Sequence, residues 1–331
     1  MQYNHFIGID ISKDTFDVFL REKSLHRQFK NDQQGFKSLV SWLQKYIGED
    51  LAHCLVCFEH TGYYSLPLAV YLDKIDTPFA MISPLRIKRS LGITRGKNDQ
   101  VDAKRIAEYA YLYRESIPRT QLPPKEIVKL QSLLSLRDRL ARTRAGYIAT
   151  RKESLQSIAE YEQVDLLASF DKMIAATSAE IKSLEQGIKA IIASNDELKQ
   201  TFALITRIKG VGLVVASYLI VYTYNFTRFE SWRKFACYAG IAPFDYRSGT
   251  SIQGRNKVSP LANHQIKKLL HISAMHAAFT DNEMKAYYNR RLDEGKSKMS
   301  TLNIIRNKVL ARVFAVALRK TEYIELHKYA S

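Results

Sequence analysis

The chain has 331 residues, of which 46% are hydrophobic and 25% are charged, values typical of a folded globular protein. Lysine and arginine number 50 against 33 aspartates and glutamates, so the net charge at pH 7 is +17. This balance favours a polyanionic partner, DNA or RNA, and fits a small polar substrate poorly. The charge is spread along the chain rather than gathered in one amphipathic tail, which argues against a membrane-surface protein.

Neither a membrane partner nor a structural zinc site is expected. No apolar run reaches transmembrane length, and the segment from Met1 to Asp10 lacks the pattern of a signal peptide, so we expect a cytoplasmic protein. The three cysteines give no disulfide framework. Cys54 and Cys57 have a C-x-x-C spacing, but they lie in a strand-like segment and would point to opposite faces. We interpret them as core side chains.

The first third of the chain alternates strand and helix patterns. Period-two alternation predicts three strands joined by turns, at residues 5–11, 15–20 and 26–30. Helical spacing over 31–47 and 64–72 then alternates with further strands at 53–58 and 77–83. This order predicts a mixed α/β sheet with helices packed on its faces.

The segment RGKNDQVDAKR, residues 95–105, is a candidate metal-binding element. Asp99 and Asp102 are three residues apart at a predicted helix start, so both side chains lie on one helical face. Lysines and arginines surround them, including Arg95 and Lys97. Two carboxylates in so basic a stretch suggest a site that holds Mg²⁺ against a phosphate backbone. The alternative is that the two aspartates cap and solvate a helix N-terminus.

Two further carboxylates come from other elements of the predicted sheet. Asp10 lies on the first strand and Glu59 ends the fourth, so both can reach the sheet edge where Asp99 and Asp102 would lie. Taken singly, Asp10 could be a turn residue and Glu59 a helix N-terminal acid. Together the four resemble the site of the ribonuclease H-like fold, in particular RuvC-like nucleases, which hold two divalent metals. Oxygen ligands suit Mg²⁺ or Mn²⁺ better than zinc.

The middle of the chain predicts long helices and a tight turn. Residues 122–160 and 166–192 carry narrow apolar seams, which predict an antiparallel coiled-coil hairpin or dimerisation arm, or two helices packed on their own domain. The segment IKGVG, with Lys209, Gly210 and Gly212, precedes an apolar helix. It resembles the hairpin of a helix-hairpin-helix element, which contacts phosphates through backbone N–H groups; a simple helix–helix turn is the alternative.

The last third predicts a serine-containing loop followed by basic helices. Residues 235–254 begin on a helix and continue as a Gly- and Ser-rich loop with Ser248 between Arg247 and Arg255. The spacing of His and Lys residues does not select Ser248 as a nucleophile. Helices are predicted over 261–279 and 302–320, with a basic turn over 295–298 that includes Lys296 and Lys298. That turn is either a solvated face or a phosphate contact.

Five segments of the sequence match one known family in the same order along the chain. They are YNHFIGIDISKDTFDV, CFEHTGYY, RGKNDQVDAKRIAEY, IKGVG and FACYAGIAPFDYRSGTSIQG. The chain resembles the DEDD transposases of bacterial insertion sequences, relatives of the Piv-like DNA invertases and understood as bridge-RNA-guided serine recombinases. The first three segments match the family's RuvC-like domain and the last two its C-terminal transposase domain.

The resemblance implies a division of the chain and a set of catalytic residues. Residues 1–120 would form the RuvC-like domain, 121–195 the coiled-coil helices, and 196–331 a mainly helical transposase domain with a helix-hairpin-helix-like element. The family's acidic quartet, which binds Mg²⁺, falls on Asp10, Glu59, Asp99 and Asp102. Its serine nucleophile falls on Ser248, which would form a covalent phosphoserine link to DNA. Lys209 departs from the family, whose members often have proline there.

The resemblance also implies partners. These are donor and target DNA, a structured noncoding bridge RNA, and a second or further copy of the chain in a homodimer or homotetramer at the bacterial nucleoid. Residues expected to contact nucleic acid are Arg95, Lys97, Lys209, Gly210, Gly212, Arg247, Arg255, Lys296 and Lys298.

Three other functions are open to the same sequence. A junction resolvase or nuclease on the same fold would use metal-activated water, although the C-terminal domain with Ser248 argues against it. The segment IGIDIS resembles the first phosphate loop of sugar kinases and actin-like ATPases, but the further glycine-rich loops of those proteins are missing among the 14 glycines. A structural nucleic-acid binder without catalysis would not need all four carboxylates.

Overall fold

The structure is a computed structural model that describes residues 3–48, 50–59, 64–90, 98–157, 164–248 and 252–324. The side chains of residues 89, 157, 164, 245–248 and 252–257 are outside this description. The chain divides into two compact units, Met1–Leu122 and Pro123–Ser331. Among the helices of the described residues, none has the length and apolar character needed to cross a membrane.

The first unit contains the predicted mixed sheet, which is confirmed. Its strands are β1 (His5–Ile11), β2 (Thr15–Leu20), β3 (Leu25–Lys30), β4 (Cys54–Glu59) and β5 (Phe79–Ile82). They lie in the order β3-β2-β1-β4-β5. The first three form an antiparallel meander, and β4 and β5 run parallel to β1. This arrangement agrees with the expected ribonuclease H-like fold.

Helices cover both faces of the sheet. They are α1 (Gln33–Ile47), α2 (Leu66–Lys74), α3 (Pro84–Ser90) and α4 (Asp99–Leu112). One core joins the isoleucines of β1 to Phe36 and Leu39 of α1 and to Leu68 of α2. On the opposite face Phe6 and Cys57 pack with Ile106 of α4. The side chains of β1 therefore alternate between the α1–α2 face and the α4 face.

The second unit is built mainly of helices around one large core. Its elements are α5 (Lys125–Ser157), α6 (Val164–Ala193), α7 (Asp196–Ile205), α8 (Leu213–Thr223), α9 (Trp232–Tyr238), β6 (Pro243–Ser248), β7 (Ile252–Val258), α10 (His264–Thr280), α11 (Asn282–Asp293) and α12 (Lys298–Arg319). Helices α5 and α6 pack along each other, with an ion pair of 2.8 Å between Arg137 and Glu185. The coiled-coil and helix-hairpin-helix descriptions, and the domain boundary at residue 195, stay predictions.

Two predictions of local structure were wrong. The expected loop after residue 235 contains an antiparallel hairpin, β6 and β7, in which Ser248 pairs with Ile252. Strand-favouring residues such as Phe244, Tyr246 and Val258 outweigh the glycines and serines between them. The predicted basic turn over 295–298 ends earlier than expected, because Ser297 caps α12 by accepting a hydrogen bond from the Ser300 amide (3.2 Å) and Lys298 is already helical. Below, β6 and β7 are called the serine hairpin.

Candidate acidic site and serine hairpin

Strand β1 and helix α4 approach each other closely at Gly8. A Cβ atom on Gly8 would lie 2.2 Å from the carbonyl oxygen of Ala103 and 2.2 Å from the amide nitrogen of Ala107. Only glycine on the strand and small residues on the helix allow this distance. Asp10 follows Gly8 by two positions, so it projects from the same face of the sheet.

The first turn of α4 carries the predicted aspartate pair. The side chain of Asn98 caps the helix by accepting a hydrogen bond from the Gln100 amide (3.2 Å), and Asp99 and Asp102 lie in the first turn. Because the next residue, Ala103, contacts β1 at Gly8, the start of α4 lies beside the strand end that holds Asp10. The fold is therefore compatible with both interpretations of Asp99 and Asp102, as acids that stabilise the N-terminus of α4 and as neighbours of Asp10.

Electrostatics indicates that the predicted acids lie near one another. The pKa of Asp10 is raised from 3.8 to about 6, first by burial and then by the charges of Asp102, Asp99, Glu59 and Asp17, in that order. Glu59 contributes because β1 and β4 are parallel with Gly8 opposite Cys57, so one more step of two residues places Glu59 beside Asp10. The charges of the other three predicted carboxylates thus all act on Asp10, at the α4 face of the sheet.

Asp17 is a fifth carboxylate at this site, and the sequence analysis missed it. It pairs with Asp10 across β1 and β2, and its side chain is 8% exposed. His26 Nε2 lies 2.7 Å from its Oδ1, and Gln28 donates a hydrogen bond of 2.9 Å to its Oδ2. The available signal was a charged residue within the strand pattern TFDVFL, where the other side chains are apolar or small.

The side chains are not arranged as a finished chelate. Asp102 accepts a hydrogen bond of 2.8 Å from Arg105 Nη1, which occupies one of its oxygens. Within the part of the chain that the structure describes, three or more His, Cys, Asp or Glu side chains nowhere group closely enough to hold a metal ion. The residues nevertheless suit a divalent cation in their chemistry. All their donor atoms are oxygens, and a cation would offset the repulsion between the carboxylates at Asp10.

The predicted nucleic-acid contacts are described only in part. Arg95 and Lys97 lie outside the described residues, as do the side chains of Arg247 and Arg255. Lys209, Lys296 and Lys298 are exposed.

The IKGVG turn is fixed by a close contact within the second unit. Gly210 has φ +90°, and a Cβ atom on it would lie 2.3 Å from the carbonyl oxygen of Ser273. Gly212 is the N-cap of α8 and offers no side-chain cap. Because glycine has no side chain, residue 212 does not cap the amides of the first turn of α8. A phosphate that binds these amides through the backbone requires such an uncapped helix start.

Ser248 ends strand β6 of the serine hairpin. Its backbone pairs with Ile252, whereas its side chain and residues 249–251 lie outside the described residues. Its role as nucleophile stays a prediction.

In comparisons with known proteins, the chain matches two family models, both of transposases. The model of DEDD transposases of the IS110 type, described as transposase, matches residues 7–159. A second model, described as the IS116/IS110/IS902 transposase family, matches residues 202–289.

Individual relatives agree with these matches. The pilin gene-inverting protein of Moraxella bovis is 29% identical over 318 residues, which cover 94% of this chain and 95% of that protein. Its counterpart in Moraxella lacunata aligns over the same shares at 29% identity. An uncharacterized protein of insertion element IS110 from Streptomyces coelicolor is 28% identical over 158 residues, 48% of this chain and 38% of that protein.

Proposed function

We propose that the chain is a DNA recombinase of the IS110-type transposase family, which moves or inverts a DNA element by cleaving and rejoining DNA strands. The two transposase models and the pilin gene-inverting relatives support this proposal. The observation that carries the proposal is the cluster of carboxylates at the α4 face, whose charges act together on Asp10. A cluster that costs the fold free energy without a cation is typical of a site built for catalysis rather than for stability.

Asp10, Glu59, Asp99 and Asp102 would hold Mg²⁺, or Mn²⁺ in its place. Bound there, the ion would polarise the phosphoryl oxygens and stabilise the leaving oxygen. Other residues of the chain hold these carboxylates in position. Gly8 allows α4 to approach β1, Asn98 starts the helix at the right residue, and His26 and Gln28 restrain Asp17 beside Asp10.

Ser248 is the nucleophile in this proposal. Its Oγ loses a proton and forms a bond to the scissile phosphorus, while the phosphorus–oxygen bond to the sugar breaks and the leaving sugar oxygen takes up a proton. The product is a phosphoserine link that conserves the energy of the broken bond, so the reverse attack by another strand's hydroxyl rejoins DNA. Support comes from the family match over residues 202–289, which includes this serine.

Guidance by a bridge RNA and assembly into a dimer or tetramer complete the proposal. A net charge of +17 fits a protein that holds several nucleic-acid strands at once. Phosphate contacts are assigned to Arg95, Lys97, Lys209, Gly210, Gly212, Arg247, Arg255, Lys296 and Lys298.

A trapping experiment tests the reaction. Wild type and Ser248→Ala are incubated with Mg²⁺, RNA transcribed from the DNA that flanks the gene, and labelled DNA carrying the ends of the element, then quenched in denaturant. We expect a covalent protein–DNA adduct in wild type and none in Ser248→Ala. Cleaved DNA without adduct in either protein would instead favour the junction-resolvase alternative, in which metal-activated water attacks.

A further inference from the structure

The serine hairpin needs an anchor outside itself. A two-stranded hairpin alone is marginally stable in water, so the direction in which its tip points depends on how its root is held. The strand β6 begins at Pro243, two residues after Ile241, whose side chain is fully buried. Ile241 is therefore the last core residue before the strand that carries Ser248.

Two asparagines of α12 bind the backbone at this root. Asn303 and Asn307 each donate a side-chain hydrogen bond to the carbonyl oxygen of Ile241, at 3.0 and 3.1 Å. They are four residues apart, so they lie on one face of the helix. A carbonyl oxygen that accepts two amide hydrogen bonds has both lone pairs occupied, and this fixes the peptide plane from which β6 departs.

Arg306 orients one of these amides. The residue is 6% exposed, and its Nη1 donates to Asn303 Oδ1 at 3.2 Å. Because a guanidinium only donates, the oxygen of Asn303 must face Arg306, and the nitrogen of the same amide must face Ile241. The other arm of Arg306 donates to His271 Nδ1 at 2.6 Å, which ties α12 to α10.

The second strand of the hairpin is held at the same end. Asn263, the N-cap of α10, donates from its backbone amide to the carbonyl oxygen of Tyr238 (2.9 Å) and from its side chain to the Tyr238 hydroxyl (2.8 Å). Tyr238 ends α9 before β6 begins, and Asn263 starts α10 after β7 ends. Both ends of the hairpin are thus fixed to helices of the second unit.

We propose that Asn303 and Asn307 are positioning residues for strand cleavage: by holding the Ile241 carbonyl they set where β6 places Ser248. This inference rests on the proposed function of Ser248. Neither asparagine touches the reacting atoms in this proposal, and their effect is transmitted through the backbone of β6.

The test compares full-length wild type with Asn303→Leu, Asn307→Leu and the double variant. Leucine has the same number and branching of side-chain heavy atoms as asparagine but cannot donate to Ile241. At saturating DNA we expect the rate of adduct formation to fall about tenfold in each single variant and further in the double, while the Kd for DNA stays within about twofold. Backbone amides of residues 244–248 and 252–258 should exchange hydrogen faster in the variants.

Two controls separate positioning from loss of stability. Asn195→Ala removes the cap of α7, where Asn195 accepts from the Leu198 amide (3.0 Å), and should lower Tm without changing the adduct rate. Asn307→Gln keeps an amide donor and should recover part of the rate lost in Asn307→Leu.

The outcomes distinguish this inference from the function on which it rests. A Ser248-dependent adduct that forms at the wild-type rate in the double leucine variant would overturn the positioning role and leave the proposed function intact. An adduct that persists in Ser248→Ala, or is missing in wild type, would overturn both.

Discussion

At the scale of single residues, Asp10 shows the cost of a site that gathers negative charge. Its pKa is raised to about 6 by burial and by four neighbouring carboxylates. The folded state therefore binds a proton more readily than the unfolded chain, where the ordinary value is 3.8. The cost of ionising Asp10 is fully present above about pH 6 and is lost as the pH falls toward 4.

Replacing this charge should stabilise the protein when no divalent ion is added. At pH 8, Asp10→Asn should raise the free energy of unfolding by about 1–3 kcal/mol, measured by denaturant titration in a chelating buffer. The difference should shrink toward zero near pH 4, because wild-type Asp10 is then neutral. A variant that is less stable than wild type at pH 8 would show that the other carboxylates do not oppose the Asp10 charge.

Gly8 offers a second residue-scale prediction. Gly8→Ala would push a methyl group into the backbone of α4, at 2.2 Å from the Ala103 oxygen, and should cost about 1–3 kcal/mol of stability. Gly146→Ala is the matched control, because a Cβ there meets nothing within 4 Å and glycine weakens a helix such as α5, so it should stabilise by about 0.5–1 kcal/mol. Equal effects of the two changes, measured by denaturant titration, would contradict the close approach of α4 to β1.

At the scale of elements, periodic segments were predictable and non-local contacts were not. The strands around Asp10 and Glu59 were predictable as short apolar segments, because both faces of each strand are buried. The serine hairpin was missed, since its glycines and serines resemble a loop, while its root is bound by hydrogen bonds from Asn303 and Asn307, far away in sequence. Asp17 was missed for a similar reason: its partners, His26 and Gln28, are set by strand register.

The helices α5 and α6 support a prediction about assembly. Ile148 and Leu155 on α5 are nearly half exposed and one heptad apart, and Met173 on α6 is equally exposed. If the exposed apolar seam formed by these three residues joins two copies of the chain, the double variant Ile148→Glu with Leu155→Glu should convert the dimer or tetramer into monomers in light-scattering measurements. Val70→Glu, at an exposed apolar residue of α2, should leave the oligomer unchanged. A wild-type monomer, or an unaffected double variant, would refute the seam as the interface.

At the scale of the whole molecule, a net charge of +17 should make nucleic-acid binding strongly dependent on salt. Exposed Lys209 beside the Gly210 turn is proposed to contact phosphate, which carries no sequence information. Lys209→Glu should therefore weaken binding to unrelated DNA sequences by similar factors and reduce the dependence of Kd on salt, as measured by fluorescence anisotropy. A loss confined to one sequence would assign Lys209 to base recognition instead.

The most direct test of the account concerns the acidic site as a whole. Strand cleavage is measured against Mg²⁺ concentration for wild type and Asp102→Asn, with DNA binding measured in parallel and Asp171→Asn as the control at an exposed ion pair. We expect Asp102→Asn to lose cleavage at every Mg²⁺ concentration while its Kd for DNA stays close to that of wild type, and Asp171→Asn to cleave normally. Undiminished cleavage by Asp102→Asn would contradict the assignment of the carboxylates as the catalytic metal site.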